Sequence, residues 1–161
     1  WLAQLLRDLG LREILVAVGR PRPLPLPPAV AVVEDLYPGL GPLAGIHAGL
    51  RAARHPACLV VACDMPFLAP ALARELLRGK KTAVKVCLRR GLIEPFPGVY
   101  PKTILSALEQ SLTQGRLSVQ EFIRTVPHVF VAEEVVARLD PEGQSFVNLN
   151  TREALACVPS E

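Results

Sequence analysis

Apolar residues at the start of the chain follow two successive patterns. In the first, they recur on one face of a helix that ends before Gly10, a residue suited to a helix C-terminus. In the second, Ile14 to Val18 form a short apolar run typical of a buried strand. The helix-forming apolar positions are Trp1, Leu2, Leu5, Leu6 and Leu9. The sequence therefore predicts a helix followed by a strand.

The middle of the chain repeats strand and helix. Ala29 to Val33 is predicted as a strand, and Pro42 suits the first turn of the helix that follows. Leu59 to Cys63 is predicted as the next strand, and Pro70 to Arg78 as the next helix. Before them, the proline-rich segment 21–28 predicts an extended surface connection. This alternation predicts an α/β fold, with a parallel sheet covered by helices on both faces.

Beyond Gly79 the periodicity is weaker but still divides into elements. The predicted strands are Thr82–Leu88, Phe96–Tyr100 and Val129–Ala132, and the predicted helices are Ile104–Leu112 and Val119–Thr125. A last helix is predicted to begin at Asn150, because Glu153 three residues later completes a capping box.

Composition limits the class of protein. With 161 residues, half of them apolar, the chain is predicted to form a single domain over residues 1–161. A net charge of +3 is too small and scattered to indicate a nucleic-acid partner. Neither a membrane span nor a secretory leader is predicted, so we expect a cytoplasmic protein. The four cysteines and three histidines lack zinc-binding spacing, and Cys58 and Cys63 are expected to be buried apolar side chains.

Two aspartates are predicted at the C-terminal ends of strands. Asp64 directly follows the apolar run that ends at Cys63, and Asp35 follows the strand before it. Ligands of α/β sheets bind at this edge, where a carboxylate needs a cation or hydrogen bonds to offset its desolvation. Mg²⁺ typically takes only one or two carboxylates and completes its shell with water and phosphates. We therefore predict that Asp64 and Asp35 line one cleft; the alternative for each is a turn or helix cap.

A glycine-rich turn and two asparagines add candidate contacts. Gly39 to Gly45 joins a strand to a helix, where backbone amides face an anion or a ring edge. The same residues imitate a dinucleotide fingerprint, which alone is a weak indication, and a purely structural turn is the alternative. Asn148 and Asn150 offer donors and acceptors suited to a heterocycle or phosphate, with helix capping as the alternative for Asn150.

Taken together, six motifs resemble, in order and over nearly the whole chain, those of the molybdenum cofactor guanylyltransferases, also called molybdopterin-guanine dinucleotide biosynthesis protein A. The motifs are Glu34-Asp35, Gly41-Pro-Leu-Ala-Gly45, Cys63-Asp-Met-Pro-Phe67, Glu94-Pro-Phe96 with Tyr100, Leu117-Ser-Val119 with Phe122-Ile123, and Phe146-Val-Asn-Leu-Asn-Thr151. The glycine loop, the Cys-Asp-Met-Pro motif and the Asn-Leu-Asn-Thr ending are jointly specific, although related nucleotidyltransferases carry similar Cys-Asp-x-Pro motifs.

The resemblance implies a Rossmann-like, three-layer nucleotidyltransferase fold with a mostly parallel central sheet. It also implies transfer of GMP from GTP to molybdopterin, with release of pyrophosphate and with Mg²⁺ as cofactor. Asp64 matches the family's catalytic, metal-binding aspartate. The matches to nucleotide-binding positions are Asp35, Gly41, Pro42, Leu43, Gly45 and Asp64, and the matches to substrate-binding positions are Asn148 and Asn150.

One part of the family pattern is not found before Trp1, namely a first strand and a glycine-rich loop that holds the triphosphate. We therefore expect a chain that starts about one strand and loop late, with weaker GTP binding. Two alternatives stay open: a related transferase that uses CTP or UTP, and a non-catalytic module that binds molybdopterin. Apo-molybdoenzymes or other proteins of cofactor biosynthesis are the expected protein partners.

Overall fold

The computed structural model describes residues 2–20 and 25–149, and in this part of the chain the strands form two hydrogen-bonded sheets. In chain order the elements are α1 (Leu2–Asp8), β1 (Ile14–Val18), β2 (Val30–Glu34), α2 (Pro42–Ala52), β3 (Ala57–Val60), α3 (Pro70–Leu77), β4 (Val84–Arg89), β5 (Leu92–Pro101), a 3₁₀ turn (Lys102–Ile104), α4 (Leu105–Thr113), α5 (Val119–Thr125), β6 (His128–Val131), α6 (Glu133–Leu139) and a second 3₁₀ turn (Gln144–Phe146).

Strand direction is nearly uniform. In the first sheet β1 pairs with β2 in parallel; the second has the order β3-β5-β4-β6, with β6 parallel to β4 and β5 antiparallel to both of its neighbours. Helix α2 joins β2 to β3 and packs against β1 and β3, so β2-α2-β3 is a crossover that sets β3 parallel to the first sheet. Among the described strands only β5 runs the other way, which confirms the mostly parallel α/β fold.

Helices cover both faces of the four-stranded sheet. On one face, a core formed with α2, α4 and α5 buries Val84 and Val86 of β4. On the other face, a core formed with α3 and α6 buries Cys87 of the same strand. Since successive side chains of a strand point to opposite faces, β4 contributes to both cores. The arrangement is the predicted three-layer one.

The two sheets leave a gap between β1 and β3. Among the described residues β1 pairs only with β2 and β3 pairs only with β5, so the second edge of each strand has no described partner. Helix α2 packs against both strands from one side, and a cluster that includes Leu6 of α1, Ile14 of β1 and Leu59 of β3 connects them on the other. Just before β1 and β3 begin, Arg54 Nε lies 3.4 Å from Glu13 Oε1, beside a cavity of about 450 Å³. Helices α1 and α2 therefore connect β1 to β3, although these two strands are not paired with each other in the part of the chain that the structure describes.

Most predicted elements are present, with three corrections. Strand β3 covers Ala57–Val60 rather than Leu59–Cys63, and Cys63 is exposed rather than buried. Helix α6 was not predicted. The helix expected from Asn150 lies outside the described residues. Within the described residues, no helix has the length and apolar character needed to cross a membrane.

Candidate active site

The first group of candidate residues lies where β1 and β2 end. Asp35 directly follows β2, and its backbone N–H donates to the carbonyl of Val18 at 3.0 Å, which extends the parallel ladder by one residue. Gly19, the residue after β1, lies so close that a Cβ on it would come within 3.9 Å of Asp35 Oδ2. Asp35 thus stands at the C-terminal edge of the sheet, where the sequence predicted it.

The carboxyl group of Asp35 is incompletely paired. Its Oδ1 atom is buried and has no hydrogen-bond partner among the described residues. Burial raises the pKa of Asp35 above its ordinary value, while the charge of His47 acts in the opposite direction. A buried acceptor without a partner is costly to the protein alone and is available to a ligand donor.

The predicted glycine turn leads into α2. Gly41, with φ of 74°, precedes the helix, and Pro42 occupies its first turn. A positive φ of this size suits glycine and disfavours residues that carry a Cβ. The side chain of Leu43 is fully buried in the core, so only its backbone could contact a nucleotide. Gly45 packs against β1, where a Cβ would lie 3.7 Å from Ala17 Cβ. Its contribution is close packing of the helix on the strand.

Asp64 lies beyond the end of β3, a strand of the four-stranded sheet. After β3 ends at Val60, the chain continues to a turn in which the N–H of Met65 donates to the carbonyl of Ala62 at 3.1 Å. Asp64 lies inside this turn and is half-buried. It therefore stands four residues beyond the strand, not directly after it as predicted, but still at the edge to which the parallel strands point.

The segment containing Asn148 returns to Asp64. The N–H of Leu149 donates to the Asp64 carbonyl at 2.7 Å, which places the exposed Asn148 next to that turn. Further contacts hold this segment: Ser145 Oγ accepts from the N–H of Ala69 at 2.8 Å, and the guanidinium of Arg89 lies 5.2 Å from the ring centre of Phe146. Asn150 lies outside the described residues. The structure thus groups Asp64 with Asn148, whereas Asp35 lies beside Gly19 at the ends of β1 and β2.

Metal binding was predicted from oxygen ligands. Within residues 2–20 and 25–149, no group of three or more histidine, cysteine, aspartate or glutamate side chains could enclose a metal ion. A single carboxylate at the turn fits Mg²⁺, which keeps several waters and takes its other ligands from substrate phosphates.

Sequence reasoning missed a side-chain hydrogen bond between α2 and α4. His47 in α2 is fully buried, and its Nε2 lies 3.1 Å from Glu109 Oε1 of α4. The ring of Tyr37 stands edge-on to the imidazole, with 5.2 Å between ring centres. The sequence did indicate that His47 is buried, because it lies one helical turn after Leu43 on the apolar face of the predicted helix. It did not indicate the partner.

Comparison with known proteins decides the family. Residues 1–129 match the family described as the MobA-like NTP transferase domain. The chain belongs to this family. In the solved structure of molybdopterin-guanine dinucleotide biosynthesis protein A from Archaeoglobus fulgidus, the similar region has a TM-score of 0.66 and 30% identity, and it covers 78% of this chain and 65% of that one.

Curated relatives agree with this assignment. A probable molybdenum cofactor guanylyltransferase of Pelotomaculum thermopropionicum is 40% identical over 121 residues, which cover 74% of this chain and 59% of that protein. The molybdenum cofactor guanylyltransferase of Desulfosudis oleivorans is 33% identical over 126 residues, covering 77% of this chain and 62% of that protein. The chain therefore spans about three fifths of the length of these relatives of the MobA-like family.

Proposed function

We propose that this chain carries the catalytic edge of a molybdenum cofactor guanylyltransferase. The reaction is transfer of GMP from GTP to the phosphate of molybdopterin, with release of pyrophosphate. The observation that carries the proposal is the hydrogen bond between Leu149 and Asp64, because it joins the metal-ligand candidate to the acceptor-binding candidate Asn148. Family membership and the names of the relatives support the same reading.

The proposed chemistry is an in-line displacement that needs no protein nucleophile. A phosphate oxygen of molybdopterin forms a bond to the α-phosphorus of GTP, and the bond from that phosphorus to the pyrophosphate oxygen breaks. Asp64 would hold Mg²⁺, which offsets the charge that grows on the leaving pyrophosphate. Asn148 would orient the attacking phosphate through its amide, and proximity would supply much of the rate.

On the other side of the edge, Asp35 and the glycine turn would hold the nucleoside. A carboxylate accepts hydrogen bonds, so the unpaired Oδ1 of Asp35 suits an N–H of guanine or a ribose hydroxyl. The turn at Gly41 brings backbone close to the ligand without a side chain. In this proposal Asp64 and Asn148 would hold the metal and the acceptor, and Asp35 and the glycine turn would hold the nucleoside.

We also propose that one further parallel strand fits between β1 and β3. Helix α1 packs across the gap and leads into β1, as does the helix of a β-α-β unit whose first strand lies beside its second. Such a strand would satisfy both unpaired edges, and the loop after it would reach the same end as Asp35 and Asp64. With it, residues 1–161 would belong to a single nucleotidyltransferase-like domain.

The test is turnover of purified protein with molybdopterin, Mg²⁺ and GTP, CTP or UTP in separate reactions, with dinucleotide and pyrophosphate as products. Pyrophosphate release with GTP above that with CTP and UTP supports the proposal. Preference for CTP or UTP would assign the related transferase instead. Tight molybdopterin binding without pyrophosphate release, in a chain that carries the additional strand, would assign a binding module. We place the reaction in the cytoplasm, with an apo-molybdoenzyme as recipient of the product.

A further inference from the structure

Two segments of the chain are bonded to each other at both of their ends. One runs from Asp64, in the turn after β3, to Ala69, which precedes α3; the other runs from Ser145 to Leu149. The N–H of Ala69 donates to Ser145 Oγ at 2.8 Å, and the N–H of Leu149 donates to the carbonyl of Asp64 at 2.7 Å. The start of each segment is therefore bonded to the end of the other, and the two pass each other in opposite directions.

The carboxylate of Asp140 fixes the beginning of the second segment. Its Oδ1 accepts from the N–H of Gln144 at 3.0 Å and its Oδ2 from the N–H of Ser145 at 2.9 Å, and the residue is 6% exposed. Gly143, with φ of 66°, turns the chain back towards this carboxylate. Burial of a polar or charged group costs free energy unless hydrogen bonds replace its water. Both oxygens of Asp140 obtain such bonds from the segment that follows it.

Ser145 connects two helices through this segment. It is 1% exposed; its N–H donates to Asp140, which directly follows α6, and its Oγ accepts from Ala69, which directly precedes α3. Helices α3 and α6 share one core on the same face of the four-stranded sheet, and Phe146 packs against that core. The beginning of the segment is therefore held by two packed helices rather than by solvent-exposed loops.

Little chain separates these supports from Asn148. The N–H of Phe146 donates to the carbonyl of Gly143 at 3.2 Å, and the N–H of Val147 donates to the carbonyl of Gln144 at 3.1 Å. Asn148 comes next and is exposed, and the bond from Leu149 to Asp64 follows it directly. An exposed amide is thus bracketed by hydrogen-bonded backbone on both sides.

The alternative is that these bonds only close the end of α6. A helix terminus needs partners for its own carbonyl groups, and the turn through Gly143 supplies one, since the N–H of Gly143 donates to the Asp140 carbonyl at 3.0 Å. Termination of α6 does not require that Ser145 Oγ reach the start of α3, or that Leu149 reach Asp64. These two bonds serve the relation between the segments.

We propose that Asp140 and Ser145 are positioning residues that set Asn148 at a fixed place beside Asp64. They act through the backbone of residues 144–149 and contact neither substrate nor metal. The inference rests on the proposed function, which makes Asp64 the metal ligand and Asn148 the contact to the acceptor phosphate. In-line displacement is sensitive to misplacement of about 1 Å, so the acceptor site depends on the residues that hold its support.

The first test measures the support without substrate. Amide hydrogen exchange of Leu149 is followed in the wild type, in Ser145→Ala and in Asp140→Asn, which keeps the shape but puts an amide donor where the segment needs an acceptor. We expect the Leu149 amide to exchange about tenfold faster in both variants, because each loses a buried hydrogen bond of the segment. Ser145→Ala removes only a hydroxyl group, so it decides the test if Asp140→Asn does not fold.

Two matched controls lose the same kinds of bond elsewhere. Ser118→Ala removes a hydroxyl that accepts from the N–H of Glu121 at 3.3 Å at the start of α5. Glu133→Gln alters a carboxylate that, like Asp140, accepts from two successive backbone N–H groups, those of Arg90 and Gly91. Exchange at Leu149 should change by less than about twofold in both. Unchanged exchange in Ser145→Ala, or an equal acceleration in the controls, would overturn the proposal.

The second test asks whether the support serves the acceptor. We expect Ser145→Ala and Asp140→Asn to lower kcat/KM for molybdopterin about tenfold and to change KM for GTP by less than about twofold. In an Asn148→Ala background, Ser145→Ala should have little further effect on kcat/KM for molybdopterin, because the residue that it positions is gone. The same tenfold loss in that background, or a matching change in KM for GTP, would reduce both residues to a structural role.

The two tests separate this inference from the proposed function. Faster exchange at Leu149 in the variants of a protein that does not transfer GMP would count against the proposed function alone. Turnover of GTP that is unchanged in both Ser145→Ala and Asp140→Asn would leave the proposed function standing and overturn the positioning role.

Discussion

The backbone N–H of Leu149 donates to the carbonyl oxygen of Asp64 at 2.7 Å. These residues are far apart in the chain, yet the bond fixes the Asn148 segment beside the turn after β3. Ser145 and Phe146 secure the same segment against Ala69 and Arg89. The proposed acceptor-binding residue and the proposed metal ligand thereby lie next to each other at one edge of the sheet, as positioning of two reacting phosphates requires.

Replacing Asp64 with Asn should remove Mg²⁺-dependent GTP turnover. The amide keeps the shape of the side chain but loses the charge that would bind the cation, so we expect kcat to fall at least about 100-fold. The backbone bond to Leu149 does not involve the side chain, and Tm should therefore stay within about 1 °C of the wild type.

The matched control is Glu142→Gln, an exposed carboxylate beyond α6. Its turnover should equal that of the wild type. Unchanged activity in Asp64→Asn, measured by pyrophosphate release at saturating Mg²⁺, would refute the metal-binding role.

Asn148→Ala should weaken the binding of molybdopterin and leave the binding of GTP nearly unchanged. The side chain is exposed beside Asp64, so its loss removes a hydrogen bond to molybdopterin without disturbing the core. We expect KM for molybdopterin to rise about tenfold and KM for GTP to change less than about twofold. Gln144→Ala, an exposed amide in the same segment, is the control. A larger change in KM for GTP than for molybdopterin would move Asn148 to the nucleotide side.

The pH dependence of stability should reveal the unpaired carboxyl of Asp35. Burial raises its pKa in the folded state above the ordinary 3.8, so folding favours the protonated form. The resulting stability is fully present below pH 3.8 and is lost as pH rises through the folded-state pKa. Asp35→Asn stays neutral and escapes this loss.

We therefore expect Asp35→Asn to raise Tm at pH 7 by about 1–2 °C, a small gain because the carboxyl is partly solvated, and to leave Tm unchanged near pH 3. Thermal unfolding of both proteins at pH 7 and near pH 3 measures these differences in Tm. A Tm at pH 7 below that of the wild type would mean that the carboxylate is paired in the folded protein.

Sequence patterns predicted this fold well where a local rule fixes an element. The bounds of β1 and α5 agree with the predicted Ile14–Val18 and Val119–Thr125. A continuous apolar run and a Ser118 cap, whose Oγ accepts from the N–H of Glu121 at 3.3 Å, mark these ends locally.

Elsewhere the sequence lacks the deciding information. The apolar run after Ala57 continues to Cys63, but β3 stops pairing at Val60, because hydrophobicity does not report where a partner strand ends. Helix α6 has two adjacent valines and only a weak helical period. The contact of His47 with Glu109 joins residues 62 apart, so only the packing of α2 on α4 could reveal it.

Backbone hydrogen exchange should detect the unpaired edge of β3. The N–H of Lys102 donates to the carbonyl of Pro56 at 2.8 Å, so by alternation Cys58 also bonds to β5, while the N–H of Leu59 points into the gap. We expect the Leu59 amide to exchange at least about 100-fold faster than that of Cys58 in this chain. In a longer chain with a strand before α1, Leu59 should become protected and Cys58 should change little. Slow exchange at both Cys58 and Leu59 in the longer chain would support the strand. Continued fast exchange at Leu59 would exclude it.

Cysteine labelling offers a direct view of the proposed phosphate site. Cys63 is exposed and adjoins Asp64, whereas Cys87 is buried and has its pKa raised to about 12 by that burial. Since the thiolate is the reactive form, iodoacetamide at pH 8 should label Cys63 well before Cys87.

If GTP and Mg²⁺ gather at Asp64, adding both should slow the labelling of Cys63 by about tenfold or more, while GTP with EDTA should slow it much less. A Cys63→Ser variant identifies the modified peptide by its disappearance. Labelling that stays equally fast when GTP and Mg²⁺ are shown to be bound would place the phosphates away from the turn after β3, and with them the metal.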